Sequence, residues 1–130
     1  MDQRMKTHGD FGWCDLLTED PGKARDFYTE VIGWNTEIVD IGKGPYTVMK
    51  IGDRPVAGMM AKPAEAAQAP TMWTCYVTVD DVDARAAKAA AAGGAVIVAP
   101  TDIPSVGRMA VIQDPTGGAI GIITYAGGDG

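Results

Sequence analysis

Trp13-Cys14-Asp15-Leu16-Leu17-Thr18-Glu19-Asp20 leads into a helix-like stretch that ends at Ile32 and Gly33. The same plan returns as Thr74-Cys75-Tyr76-Val77-Thr78-Val79-Asp80-Asp81, followed by a second helix-like stretch ending at Gly93 and Gly94. Cys14 falls on Cys75, Asp20 on Asp81 and Gly33 on Gly94, a constant offset of sixty-one residues. A repeated strand–helix unit of this length decides the architecture more firmly than any short motif.

Working outward, residues 11–18 read as a strand, and Asp20-Pro21 opens a helix to about Ile32. Asp is a good N-cap and Pro suits the first turn. Ala24, Phe27, Tyr28, Val31 and Ile32 recur at helical spacing and predict one apolar face packed on a sheet. Strands are predicted over 34–40, 46–51 and 55–61, separated by Gly42-Lys43-Gly44-Pro45 and Gly52-Asp53-Arg54. Residues 62–70, rich in Ala and Pro, read as a linker. The second half repeats the order: a strand over 73–79, a helix over 82–92 capped by Asp81, and strands over 95–99, 108–113 and 119–125. Residues 1–10 read as a frayed lead-in and 126–130 as a disordered tail. The fold class is therefore α+β. Two tandem βαβββ modules, about 11–61 and 71–125, form a single domain with an open, barrel-like curved sheet and a concave ligand cleft.

The chain has 130 residues, a formal net charge of −6 and a 22% charged fraction, ordinary for a globular protein but not for one that binds nucleic acid non-specifically. No apolar run is long enough to suggest a membrane span, and the start lacks the apolar core of a signal peptide. The two cysteines lie in strand patterns and read as core thiols. Cytoplasmic location is the default expectation.

The order and spacing of several motifs resemble the vicinal oxygen chelate superfamily, which includes glyoxalase I, bleomycin- and fosfomycin-resistance proteins and extradiol dioxygenases. The carriers are Thr18-Glu19-Asp20-Pro21, Phe27-Tyr28 and Ile32-Gly33-Trp34 in the first half. In the second half they are Val79-Asp80-Asp81-Val82-Asp83 and Asp114-Pro115-Thr116-Gly117-Gly118. The resemblance implies the fold above and frequent dimerisation. It also implies four positions that often hold His and Glu ligands to a divalent metal. Counted along the repeat, those positions are Trp13, Gly58, Thr74 and Gly121. Metals of that kind need imidazole, thiolate or carboxylate donors, so no metal site and no cofactor are predicted. His8, the only histidine, precedes the first strand and reads as an exposed polar residue.

Strand alternation then assigns the concave face. It carries Trp13, Asp15 and Leu17; Thr74, Tyr76 and Thr78; Val56 and Met60 beside Gly58; and Ile123 and Tyr125 beside Gly121. Cys14, Leu16, Cys75 and Val77 point to the helices. One of Met49 and Lys50 must face the cavity. Trp13, Leu17, Met60, Thr74, Thr78, Ile123 and Tyr125 are the predicted ligand-binding residues, and the two glycines would leave room where carboxylates usually stand. Asp15 and Tyr76 are equivalent in the two halves and form a candidate acid/base pair. Three functions stay open. One is a metal-free binder of a small apolar or aromatic molecule. Another is a lyase, isomerase or dioxygenase, metal-free through Asp15 and Tyr76 or metal-dependent with atypical ligands. The last is a homodimeric scaffold in which Trp13 and Met60 merely fill an interface.

Overall fold

A computed structural model describes residues 2–42, 44–64, 67–104 and 106–126. Its elements run β1 (Phe11–Thr18), α1 (Pro21–Val31), β2 (Asn35–Asp40), β3 (Pro45–Ile51), β4 (Arg54–Ala61), β5 (Met72–Thr78), α2 (Val82–Ala91), β6 (Ala95–Ile103), β7 (Gly107–Gln113) and β8 (Ala119–Tyr125). The βαβββ order thus occurs twice. The principal departure from the sequence reading is β6, which continues past Ala99 and Pro100 to Ile103. Two register shifts in its pairing with β7 let the strand accommodate the proline. The predicted disordered tail, apart from Ala126, lies outside the described residues.

The chain divides into two compact units, residues 14–73 and residues 2–13 with 74–126. In the first unit the strands lie in the order β2-β3-β4-β1. β1 runs parallel to β4 with Asp15 opposite Gly58 and Leu17 opposite Met60, and β2–β3 and β3–β4 are antiparallel. In the second unit the order is β5-β8-β7-β6. β5 runs parallel to β8 with Tyr76 opposite Gly121, and the other two pairings are antiparallel. The duplication therefore extends to register: Asp15 opposite Gly58 corresponds to Tyr76 opposite Gly121.

Each helix starts as its sequence dictates. The Asp20 carboxylate accepts the Lys23 N–H at 3.0 Å with Pro21 in the first turn, and Asp81 accepts the Ala84 N–H at 3.1 Å. The helices differ in what they bury. Val82 and Ala86 of α2 are buried with Val79, Ala110 and Ile122, and Val77 packs beside them. The small Ala side chains let α2 settle closely on its sheet. On α1 no residue is fully buried. Ala24 and Tyr28 pack against Leu16, Met49, Ala57 and Met59, but Phe27, Val31 and Ile32 remain more than half exposed. The predicted apolar face of α1 is thus correct in pattern and only partly covered within its unit: Ala24 and Tyr28 reach the core, and the rest of the stripe stays outside it.

The lead-in is ordered rather than frayed. Gln3–Met5 form a short 3-10 turn capped by Asp2. Gly9 N–H donates to the Thr78 carbonyl and Thr78 N–H to that of Asp10, so the segment continues the edge of β5. His8, exposed as expected, accepts the Asp80 N–H through Nδ1 at 3.0 Å. Asp80 in turn takes two bonds from Arg85 at 2.9 Å. These charged bonds, that from Arg85 foremost, hold the Asp80 carboxyl down at about 2.

Candidate functional site

The face of the first unit opposite α1 is set by the alternation of its strands. Leu16, Met49, Ala57 and Met59 enter the core under α1, so Asp15, Leu17, Gly58, Met60, Tyr46 and Val48 lie on the other side. Of the pair on the third strand it is Lys50 that turns this way. Its Nζ meets Glu37 of β2 at 2.9 Å, while Met49 is fully buried in the core. Val56 does not follow the expected alternation. The register steps from Met49 opposite Ala57 to Lys50 opposite Pro55, leaving Val56 as an extra residue. A bulge of this kind turns successive side chains to one face, and Val56 accordingly packs with the α1 core.

The centre of this face is occupied in a way the sequence reading missed. A side chain at Gly58 would meet the ring edge and hydroxyl of Tyr46, so the absent Cβ is the seat of that ring. Tyr46 then reaches Asp15, donating its hydroxyl to Oδ2 at 3.3 Å. Both residues are 8% exposed. The second unit repeats the device with a different residue: a side chain at Gly121 would meet the ring of Tyr76 near its base. The expected room beside the two glycines is therefore filled by tyrosine rings. Tyr46 lies two residues before Val48, the β3 partner of Gly58. The strand register needed to place it was not readable.

The structure brings Asp15 together with Tyr46, and places Tyr76, the other half of the predicted acid/base pair, over Gly121 in the second unit. Leu17 and Met60 sit opposite one another on parallel strands, both half-buried. Trp13 and Thr74 are half-buried in the second unit. Thr78 is buried and donates its hydroxyl to the Arg4 carbonyl at 2.6 Å, so the lead-in already engages it. Ile123 is buried, and the Tyr125 ring passes close to Gly12, where any side chain would collide with it. Cys14 is half-buried on the α1 side. Cys75 is exposed rather than a core thiol, because the core under α2 reaches Val77 and stops short of it.

The four positions implied as metal ligands do not fit a metal. Trp13, Gly58 and Gly121 offer no donor atom and Thr74 only a neutral hydroxyl, while tyrosine rings fill the ground over both glycines. Among the described residues no group of three or more His, Cys, Asp or Glu is placed to hold a metal ion. Arg108 does not form an anion site, since its guanidinium is engaged by Asp83 at 2.7 Å and Asp102 at 3.0 Å. Asp114 closes its turn by accepting from the Thr116 N–H and hydroxyl and from the Gly118 N–H, and those bonds hold its carboxyl low.

An apolar groove opens on the α1 side of the first unit. About 370 Å³ in volume, it is lined by Cys14, Tyr28, Ile32, Trp34, Val56, Ala57 and Trp73. Trp73 Nε1–H donates to the Tyr28 hydroxyl at 3.1 Å, and the two rings meet edge to face at 5.5 Å. This satisfies the indole and fixes the groove wall.

Two βαβββ units with matching parallel closures define the class of paired-module α+β proteins. Residues 10–122 match the family model of the Glyoxalase/Bleomycin resistance protein/Dioxygenase superfamily, and the chain belongs to that family. It is 47% identical over 115 residues to the Mycobacterium bovis protein named "Putative glyoxylase CFP32", a match covering 88% of this chain and 43% of that protein. It is 34% identical over 123 residues to "Anthracycline biosynthesis protein DnrV" of Streptomyces peucetius, covering 85% of this chain and 45% of that one. The chain thus spans less than half the length of these curated relatives. Among solved structures, a Streptomyces coelicolor methylmalonyl-CoA epimerase in complex with 2-nitronate-propionyl-CoA shares the fold, with a TM-score of 0.63 and 19% identity over 93% of this chain and 97% of that one.

Proposed function

We propose that this protein binds a small apolar or aromatic molecule on the sheet face that carries Asp15, Leu17, Tyr46 and Met60, without a metal at the family positions. The observation that supports it is the tyrosine ring seated over Gly58. It replaces a metal-binding carboxylate with a flat, phenolic wall beside a buried acceptor, a surface suited to a partly apolar ligand. The names of the relatives, one a glyoxylase and one a protein of anthracycline biosynthesis, are consistent with small-molecule work. Trp13, Thr74, Thr78, Ile123 and Tyr125 lie in the second unit and are proposed as ligand contacts of that unit's own face, Thr78 through its methyl group. The experiment is a fluorescence binding screen against flat and aliphatic compounds, repeated with Met60→Ala and Tyr46→Phe. Loss of affinity in either variant at unchanged fold supports the reading. Ligands that bind both variants as tightly as the parent would remove this face from the site.

A second reading is favoured by the Asp15–Tyr46 hydrogen bond. A carboxylate and a phenol in contact are plausible proton carriers, so a metal-free lyase or isomerase reaction is the alternative, with Tyr76 as a further candidate. Full turnover by Asp15→Asn would end it. We further propose a cytoplasmic homodimer. Among the described residues no helix is long and apolar enough to cross a membrane, and the exposed Phe27, Val31 and Ile32 of α1 are the surface a second copy would cover. Light scattering at several concentrations tests the dimer.

A further inference from the structure

We propose that residues 2–8 form an autoinhibitory strap: a pre-folded segment that lies on the open face of the second unit and swings away from it as one body about Gly9. The proposal rests on the binding reading above for its consequence, because the strap controls access to Thr78, a proposed ligand contact of that face.

The open face of this unit is the one turned from α2. Val77 and Ile122 pack with the α2 core, so alternation sends Tyr76 and Thr78 of β5, and Ile123 and Tyr125 of β8, to the other side. Thr78 is nevertheless only 4% exposed. Its hydroxyl donates to the Arg4 carbonyl at 2.6 Å, and any side chain at Gly12 would meet Thr78 Oγ1 and the Tyr125 hydroxyl. The beginning of the chain thus lies on this end of the face, and no ligand reaches Thr78 while Arg4 stays in place.

The segment is built as a movable part. It holds its own shape: the Asp2 carboxylate accepts the Arg4 N–H at 2.9 Å and Nη2 at 3.0 Å, and the Thr7 hydroxyl donates to the Gln3 carbonyl at 2.9 Å. From Gln3 to His8 every residue is exposed except the half-buried Met5, so opening gives up little apolar burial. What latches it is polar. Besides the Thr78 hydroxyl on the Arg4 carbonyl, the Asp80 N–H donates to His8 Nδ1 at 3.0 Å and the Gly9 N–H to the Thr78 carbonyl at 2.7 Å. Gly9 has a φ of +91° and open space where a side chain would stand, which leaves its backbone free to turn. Asp10, just beyond, is pinned by the Thr78 N–H at 2.8 Å, so the movement stops at Gly9.

Trypsin reads the opening in the whole protein, because the bonds after Arg4 and Lys6 lie in the strap and cleavage tracks the open population. Thr78→Val and His8→Ala each remove a latch. Each is expected to speed cleavage after Arg4 and Lys6 by about two- to tenfold, the effect of one ordinary hydrogen bond. Cleavage after Lys88 in α2, which requires the helix to unfold, should stay at the parent's rate. No acceleration in the strap in either variant, or equal acceleration after Lys88, would overturn the strap. Stopped-flow binding of N-phenyl-1-naphthylamine, a neutral fluorescent aromatic, reads access. His8→Ala leaves every proposed contact in place and should bind the probe at least about twofold faster than the parent. Binding at the parent's rate would overturn the autoinhibition and leave the binding reading standing. Failure of the probe to bind parent and variants alike would overturn the binding reading for this face, and the access role with it, whatever the cleavage shows.

Discussion

In both units a glycine of the last strand lies opposite a side chain of the first, and in both a tyrosine ring covers that glycine. In the second unit the ring belongs to Tyr76, the register partner of Gly121 itself. In the first unit the partner is Asp15, and the ring arrives from the neighbouring strand as Tyr46. One solution therefore fills the position with a single aromatic residue. The other divides the work, with the ring covering the glycine and the carboxylate standing beside it. Duplication keeps the seat while leaving its occupant free. A duplicated fold can keep one half for packing and reserve a polar pair in the other.

The largest expected effect breaks the seat of the second unit. Gly121→Ala drives a methyl group against the base of the Tyr76 ring, where little rotation can relieve it. A loss of about 2–3 kcal/mol is expected in urea unfolding. Gly58→Ala meets only the far edge of Tyr46, which can swing aside, so the cost falls to about 1 kcal/mol. The displaced hydroxyl should then leave Asp15, and ligand binding should suffer more than stability. Equal losses in the two variants would mean that the seats are not different in kind.

A smaller effect separates the two helices. Val82→Ala removes a side chain 2% exposed under α2 and should cost about 1–2 kcal/mol. Phe27→Ala on α1, 58% exposed, should change the stability of the isolated chain by no more than about 0.5 kcal/mol. A larger loss for Phe27→Ala that grows with protein concentration would show α1 covered by a second copy.

The smallest effect concerns pH and the second unit alone. Arg85 and His8 lower the Asp80 carboxyl from 3.8 to about 2. A depressed carboxyl adds stability that is fully present above its unfolded value and is lost as pH falls through its folded value. The loss should therefore fall between about pH 4 and 2, and Arg85→Ala should flatten the acid limb there. Because the pair is exposed, the change is slight. No flattening in an acid titration followed by circular dichroism would remove the clamp.

The repeat made the architecture legible, because caps, glycine stops and strand alternation agree in both halves. The two glycines that the family resemblance marks, Gly58 and Gly121, lie opposite the first strand of their own units. Tyr46 was not legible, since its place depends on how far β3 slides along β4, which alternation leaves open. Val56 was misplaced for the same reason: one extra residue at the bulge reverses its face. The lead-in was misread because bonds such as Thr78 to Arg4 join distant parts of the chain. The incomplete cover of α1 was invisible because an apolar helical stripe reports what must be buried and not what buries it.

Tyrosine seats stand where a metal site would, with Asp15 as the polar group that remains. Metal analysis of protein purified without chelator, followed by titration with zinc, nickel and manganese, tests it most directly. Less than about a tenth of an equivalent of metal is expected, with no saturable binding that Asp15→Asn removes. One tightly held metal per chain, lost on Asp15→Asn or Tyr46→Phe, would contradict it.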